Sequence, residues 1–192
     1  MNRSSTLPDS QTDAELVSAT AAGSTEAFHV LHGRFERRVY RYVRTFVRQP
    51  TLAEDVVIDT MTAVWRDART FTGSSRVSTW ILGIARHKAL DAIRSGSREM
   101  VPLDEIDGVE DTAETAAQSA ERGSSAREVL RALALLSEDH REVLRLAFYE
   151  ELPYDEIATL LAIPTNTVKT RVFYAKQQLK RQLQVLGVEF VS

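Results

Sequence analysis

Apolar residues return every three or four positions through most of this chain, and no convincing segment alternates apolar with polar. That period admits helices and excludes a sheet as the organising element. Glycine and proline number only 8 and 5 in 192 residues, so the helices are long and their breaks can be placed. There is no cysteine. Disulfides, thiol redox chemistry and cysteine-based zinc sites are therefore excluded. No apolar run approaches the roughly 18 residues of a membrane span. The opening MNRSSTLPDSQTD lacks the apolar core of a secretory signal and is expected to be a frayed tail. The default compartment is the cytoplasm.

A first helix is expected from Asp13 to Ala22, stopped by Gly23. Ser24 then caps a long helix to about Val47, with Phe28, Leu31, Phe35, Val39, Tyr42, Val43 and Phe46 at helical spacing. Gln49-Pro50 breaks it. Thr51-Leu-Ala-Glu54 has the form of a capping box and starts a helix through Trp65 to about Ala68. RTFTGSSRVS (69–78) reads as a loop, and a further helix runs from about Val77 to Arg94.

Then the composition changes. Residues 95–124 carry eight acids among Gly, Pro, Ser, Thr and Ala, the mark of a solvated linker. Relaxed, such a tether spans only about 30 Å, close enough for its acids to screen cationic surfaces in the free protein. Helical order returns from about Ser125 to Leu136. Ser137 caps a helix to about Tyr149, and two more follow, Pro153 to Leu161 and Thr165 to about Leu186. The expected fold is all-α. Two small helical domains (13–95 and 125–192) are joined by a flexible acidic linker (96–124) and preceded by a disordered tail (1–12).

The C-terminal domain contains a helix-turn-helix pattern, LPYDEIATLLAIPTNTVKTRVFYAKQQL. Ile157, Ala158, Leu161, Ile163, Val168 and Val172 suit its small core. Pro164 stops the first helix. Thr165 is expected to cap the second, its hydroxyl accepting from the N–H of Thr167 or Val168. The chain is acidic, at net charge -3, yet this second helix carries Lys169, Arg171, Lys176, Lys180 and Arg181 with no acid among them. At about 100° per residue, Val168, Val172, Ala175 and Leu179 share one face. Asn166, Thr170, Phe173, Tyr174 and Gln177 share the other, flanked by Lys169 and Lys176 on one side and Thr167 and Arg171 on the other. Amides and hydroxyls bond base edges, aromatic edges meet thymine methyls, and cations hold phosphates. In the first domain, Arg34, Arg37, Arg38, Arg41, Arg44 and Arg48 read mostly as a solvated helix face.

LAEDVVIDTMTAVWRDARTF and TGSSRVSTWILGIARHKALDAIR resemble the signature of bacterial sigma factors. The C-terminal helix-turn-helix resembles the same family's promoter-binding domain. Two domains with little else resemble its extracytoplasmic-function (ECF) group. The resemblance implies that 13–95 is region 2, which binds core polymerase and recognises and melts the −10 element. It implies that 125–192 is region 4, with Thr165, Asn166, Thr167, Lys169, Thr170, Arg171, Phe173, Tyr174 and Lys176 at the −35 element.

By the same resemblance, Asp55, Val56, Ile58, Asp59, Met61, Thr62 and Trp65 lie on the surface that docks on the clamp of the large polymerase subunit, some of them being core instead. Phe71, Gly73, Ser74 and Ser75 lie in the loop that receives a flipped −10 base. Trp80, Arg86, His87, Lys88, Asp91 and Arg94 lie on the −10 helix, Trp80 being equally suited to the core. Ile58 stands where the family often has glutamine, and His87 where it commonly has asparagine. The implied partners are core RNA polymerase (clamp and flap), promoter DNA and an anti-sigma factor, with no membrane insertion of the chain's own.

No Walker loop, dinucleotide fingerprint or HExxH is present. His29 and His32 have no obvious third metal ligand. No catalytic residue, metal or cofactor is expected. The competing reading is a helix-turn-helix repressor or activator that works without polymerase. An enzyme acting on nucleic acid would need a carboxylate or histidine cluster that the sequence does not offer.

Overall fold

The computed structural model describes residues 11–96 and 127–187. The chain divides into two compact units, Met1–Met100 and Val101–Ser192. The acidic linker and the tail before Gln11 lie outside the described residues, apart from Ser95 and Gly96 at the linker's start.

The first unit contains α1 (Asp13–Ala21), α2 (Thr25–Val43), α3 (Pro50–Asp67) and α4 (Val77–Gly96), with a short 3-10 turn at Ala68–Thr70. Helix α1 begins with a capping box the sequence reading missed. The Glu15 N–H donates to Thr12 Oγ1 at 3.3 Å, and the Thr12 N–H donates to Glu15 Oε2 at 2.8 Å. Gly23, at φ 95, turns the chain into α2. Ser24 caps α2 as expected, accepting from the Ala27 N–H at 3.2 Å.

Two expectations fail here. Helix α2 ends at Val43, not near Val47. The chain tightens instead, with Thr45 and Phe46 donating to the carbonyls of Tyr42 and Val43. Val47 is still buried, and its N–H still donates to the Val43 carbonyl at 2.9 Å, so the apolar period runs on past the last regular turn of the helix. Nor is Thr51–Glu54 a capping box. Gln49 is the N-cap and Pro50 the first helical residue, which puts Thr51 inside the helix. Proline suits that first position because its missing N–H would have no intrahelical acceptor.

Leu16, Val17, Leu31, Val39, Tyr42, Val43, Val64, Ile81 and Leu82 are all almost completely buried between these helices. Each such side chain stabilises the fold by about 1.5–3 kcal/mol relative to exposure. Helix α3 packs on α4, and both pack on α2.

In the second unit α5 is helical over residues 127–134. It is followed by α6 (Glu138–Leu144), a π-helical turn (Arg145–Tyr149), α7 (Tyr154–Leu161) and α8 (Thr165–Val185). Ser137 caps α6, accepting from the His140 N–H at 3.3 Å. Arg141 then reaches back to the end of α5, donating to the carbonyls of Leu133, Ala134 and Leu136 at 3.0–3.3 Å. Helix α8 packs on both α6 and α7. Ile157, Ala158, Leu161, Val168 and Val172 are buried as expected, and Ile163 is half-buried. The stripe along α8 continues through Ala175 to Leu183, while Leu179 is only half-buried.

The turn between α7 and α8 corrects a further expectation. Ala162 takes the left-handed conformation, φ 53 and ψ 44. Pro164 is the N-cap of α8, and Thr165 makes no side-chain capping bond. The Pro164 carbonyl accepts from Thr167 and Val168 at 2.8 and 3.2 Å. Proline, with a fixed φ and extended ψ, thus starts the helix one residue before the hydroxyl expected to do so. Among the described residues there is no strand.

Candidate nucleic-acid interface

Helix α8 turns one stripe inward and leaves the other open. Asn166, Lys169, Thr170, Phe173, Tyr174 and Lys176 are exposed, while Thr165, Thr167 and Arg171 are half-buried. The rings of Phe173 and Tyr174 stand edge to face, 5.5 Å apart. Thr170 donates its hydroxyl proton to the Asn166 carbonyl at 2.9 Å. Its oxygen is thereby left to accept, which suits an amine on a base edge.

Two cations on this helix are already held by other elements. Arg171 pairs with Asp139 of α6 at 2.9 Å. Lys176 Nζ lies 4.4 Å from the centroid of Phe148 in the π-helical turn. His140 and Gln178 add a 2.9 Å hydrogen bond between α6 and α8. The sequence reading did not include Asp139 or Phe148, and nothing in their own neighbourhood marks them.

In the first unit the loop after the 3-10 turn borders an open cleft of about 340 Å³. Phe71, Gly73 and Ser75 line it. Gly73 has φ 74, a conformation that other residues adopt only with strain. Ser74 does not line the cleft. It is exposed and accepts from the Thr72 hydroxyl at 3.0 Å. Asp13 and Ala14 of α1, with Arg76, Val77 and Ser78, complete the lining. These five residues were not anticipated, and Asp13 is distant in sequence. Trp80 is half-buried, its ring 5.2 Å from that of Phe71. It therefore supports the aromatic wall of the cleft from within.

Along α4, Arg86 and Lys88 are half-buried, and His87 and Arg94 are exposed. Asp91 engages both of the exposed pair. Its Oδ2 lies 3.2 Å from His87 Nε2, and its Oδ1 bonds Arg94. Asp91 thus orients two exposed basic side chains of α4. Nearby, Arg66 holds the Asp67 carboxyl below the usual carboxylate range, with a lesser contribution from Lys88.

The outer face of α3 carries Asp55, Ile58, Asp59, Thr62 and Trp65. Ile58 is 63% exposed. Trp65 is 37% exposed and packs edge-on against Phe28 at 5.2 Å. Val56 and Met61 are corrections. At 3% and 2% exposed they belong to the core and cannot meet a partner. Residues 56, 57, 60, 61 and 64 form the inward stripe of a 3.6-residue helix, so the motif had mixed two faces. On α2, Arg34 is tied to Asp13 and to the Gln11 carbonyl, so it is not simply a solvated cation.

Among the described residues no group of three His, Cys, Asp or Glu could hold a metal. His32 instead pairs with Glu36 at 3.4 Å. No described helix is long and apolar enough to cross a membrane.

Residues 31–99 match the family model described as Sigma-70 region 2, and residues 126–179 the one described as Sigma-70, region 4. The chain is 30% identical over 175 residues to the ECF RNA polymerase sigma factor SigL of Mycobacterium tuberculosis, covering 90% of this chain and 97% of the relative. It is 26% identical over 196 residues to the ECF RNA polymerase sigma-E factor of Escherichia coli strain K12, covering 94% and 98%. Among solved structures, CnrH in complex with the cytosolic domain of CnrY matches with a TM-score of 0.66 and 25% identity, over 90% of this chain and 97% of that one. RpoE of Bartonella quintana, in complex with the anti-sigma factor NepR, shares the fold with a TM-score of 0.68 and 21% identity, over 84% and 99%.

Proposed function

Because this chain belongs to the ECF RNA polymerase sigma factors, we propose how its two units divide the work of initiation. The protein is an alternative sigma factor. It binds core RNA polymerase and directs promoter-specific transcription initiation. That membership sets aside the polymerase-independent repressor or activator.

In the proposed division, α8 reads the −35 element from the major groove. Asn166, Thr170, Phe173 and Tyr174 face the bases, and Lys169 and Lys176 face phosphates. The carrying observation is the segregation of α8 into a buried apolar stripe and an open polar, aromatic and cationic one. Arg86, His87, Lys88 and Arg94 of α4 serve the −10 element. The cleft beside Phe71 and Gly73 receives a base flipped from it, which costs a few kcal/mol in unstacking and needs such a pocket in return. The exposed face of α3 (Asp55, Ile58, Asp59, Thr62, Trp65) docks on the polymerase clamp, and the second unit meets the flap. The bond-making chemistry belongs to the polymerase, and this chain contributes binding energy and strand capture.

An anti-sigma partner and a cytoplasmic location complete the proposal. The first is supported by relatives solved with such partners or with a cytosolic domain.

The test is reconstitution with core polymerase, run-off transcription, and sequencing of the bound DNA. Asp55→Arg with Asp59→Arg should abolish assembly while leaving the fold intact, since reversing exposed helical acids costs only a few tenths of a kcal/mol. Normal assembly of that folded double variant would move the docking surface elsewhere. Thr170→Ala or Tyr174→Ala should change −35 preference by about 1–3 kcal/mol.

A further inference from the structure

The cleft beside the 71–76 loop is walled by more than the loop. Phe71, Gly73 and Ser75 form one part of the lining, and Asp13, from the start of α1, forms another. Asp13 is held in place. Its Oδ1 accepts from Arg34 Nη1 at 2.8 Å, and the same nitrogen donates to the Gln11 carbonyl at 2.8 Å. The side chain nevertheless remains 40% exposed, so a ligand in the cleft can reach it. A carboxylate offers about four acceptor sites, of which the Arg34 bond uses one.

The chemistry of this lining is selective. A carboxylate repels phosphate, so the cleft suits a base and not the nucleic-acid backbone. The Phe71 ring, backed by Trp80 at 5.2 Å, supplies an aromatic wall on which a base stacks. A carboxylate only accepts, so it rewards a base that presents an N–H to it. Adenine, cytosine and guanine carry an exocyclic amine; thymine carries none, and its one donor on that edge, the ring N3–H, is flanked by two carbonyl oxygens that repel a carboxylate.

We infer that Asp13 is a specificity-determining residue of this cleft, accepting a hydrogen bond from the exocyclic amine of the captured base and so disfavouring thymine. The inference rests on the cleft being the base-receiving site proposed above. Arg34 is its positioning partner, fixing the carboxylate against the loop.

The experiment uses holoenzyme and forked promoter duplexes whose non-template strand carries each of the four bases, in turn, at every melted −10 position. Complex formation is measured for the wild-type protein and for Asp13→Asn, Asp13→Glu and Phe71→Ala. Association with core polymerase, measured in parallel, reports folding. At one position the wild type should disfavour thymine by about tenfold, the scale of one lost hydrogen bond to a charged group. Asp13→Asn, which also offers a donor, should shrink that ratio to about twofold, and Asp13→Glu should retain its direction. If Phe71→Ala alters the base response while Asp13→Asn leaves it intact, the cleft holds the base and the assignment of Asp13 is wrong. If neither variant alters the response at any position, the base-receiving reading fails and the inference with it. A wild-type preference for thymine at the position sensitive to Phe71→Ala would also overturn it.

Discussion

The two helices proposed to face DNA hold basic side chains in opposite ways. On α4 one residue of the same helix serves two of them. Asp91 engages His87, four residues before it, and Arg94, three after it. On α8 the partners come from elsewhere in the unit, Asp139 of α6 for Arg171 and Phe148 of the π-helical turn for Lys176. The first arrangement is written into helical spacing and needs only that α4 be a helix. The second exists only when α6 is seated against α8. The proposed −35 reader is therefore sensitive to damage behind it, whereas the α4 surface is sensitive mainly to damage within it.

The largest effect should follow from disturbing that seat. Leu146 is fully buried in the π-helical turn. Leu146→Ala should destabilise the second unit by about 2–5 kcal/mol. The chain's 2 tryptophans, Trp65 and Trp80, both lie in the first unit, so their fluorescence reports that unit. In denaturant, the circular-dichroism transition should move to lower concentration while the tryptophan transition stays. If both move together, the units unfold as one and the regional contrast has no thermodynamic meaning.

Next in size is the turn that presents α8. Ala162 sits at φ 53, where a Cβ costs about 1–2 kcal/mol. Ala162→Gly should stabilise the second unit by about 1 kcal/mol after the added freedom of the unfolded chain is offset. That corresponds to a thermal midpoint roughly 4–8 °C higher in a unit of this size. An unchanged or lowered midpoint would mean that the surrounding helices relieve the strain.

Smaller effects separate the two cation-holding schemes directly. Both acid pairs are partly exposed, so breaking either should cost only about 0.2–1 kcal/mol of stability. Their effects on DNA should differ. Asp139→Asn releases Arg171 beside the base-facing stripe and should shift −35 preference a few-fold. Asp91→Asn releases Arg94 toward phosphate and should tighten binding to all sequences, with the salt slope steeper by about one. The reverse pattern would invert the contrast. Footprints and affinities across salt decide it.

The smallest effect concerns the end of α1 that brings Asp13 to the cleft. Bonds from the Thr12 backbone and hydroxyl hold the Glu15 carboxyl below its ordinary value of 4.5. A lowered folded value means that this contribution is fully present above pH 4.5 and fades as pH falls through the lower, folded value. Protection of the Thr12 amide, taken as its exchange rate relative to the intrinsic rate at each pH, should therefore fall on acidification through that window. In Glu15→Gln that protection should not depend on pH there. Identical profiles for the two proteins would remove the capping box as the cause.

Much of this is legible in the sequence. The helical course, the Ser24 and Ser137 caps and the two-faced α8 follow from period and cap chemistry, which act within a few residues. The errors also have local causes. At Gln49-Pro50 and at Pro164 a proline starts the helix before the first hydroxyl that could cap it, so the Thr51–Glu54 box and the Thr165 cap were misplaced. Val56 and Met61 leave the docking surface that the motif implies because the helical period places them inside.

What the sequence determined by itself is therefore the set of helices and which side of each is apolar, because intrahelical hydrogen bonds and a 3.6-residue period are properties of neighbouring residues. What only the tertiary structure decided is which side chains from separate helices meet. Asp13 and Phe71 come to line one cleft, Asp139 meets Arg171, and Phe148 lies against Lys176. Those meetings depend on how the apolar faces pack, and close packing sets their register through the shapes of many side chains at once, which no single segment carries.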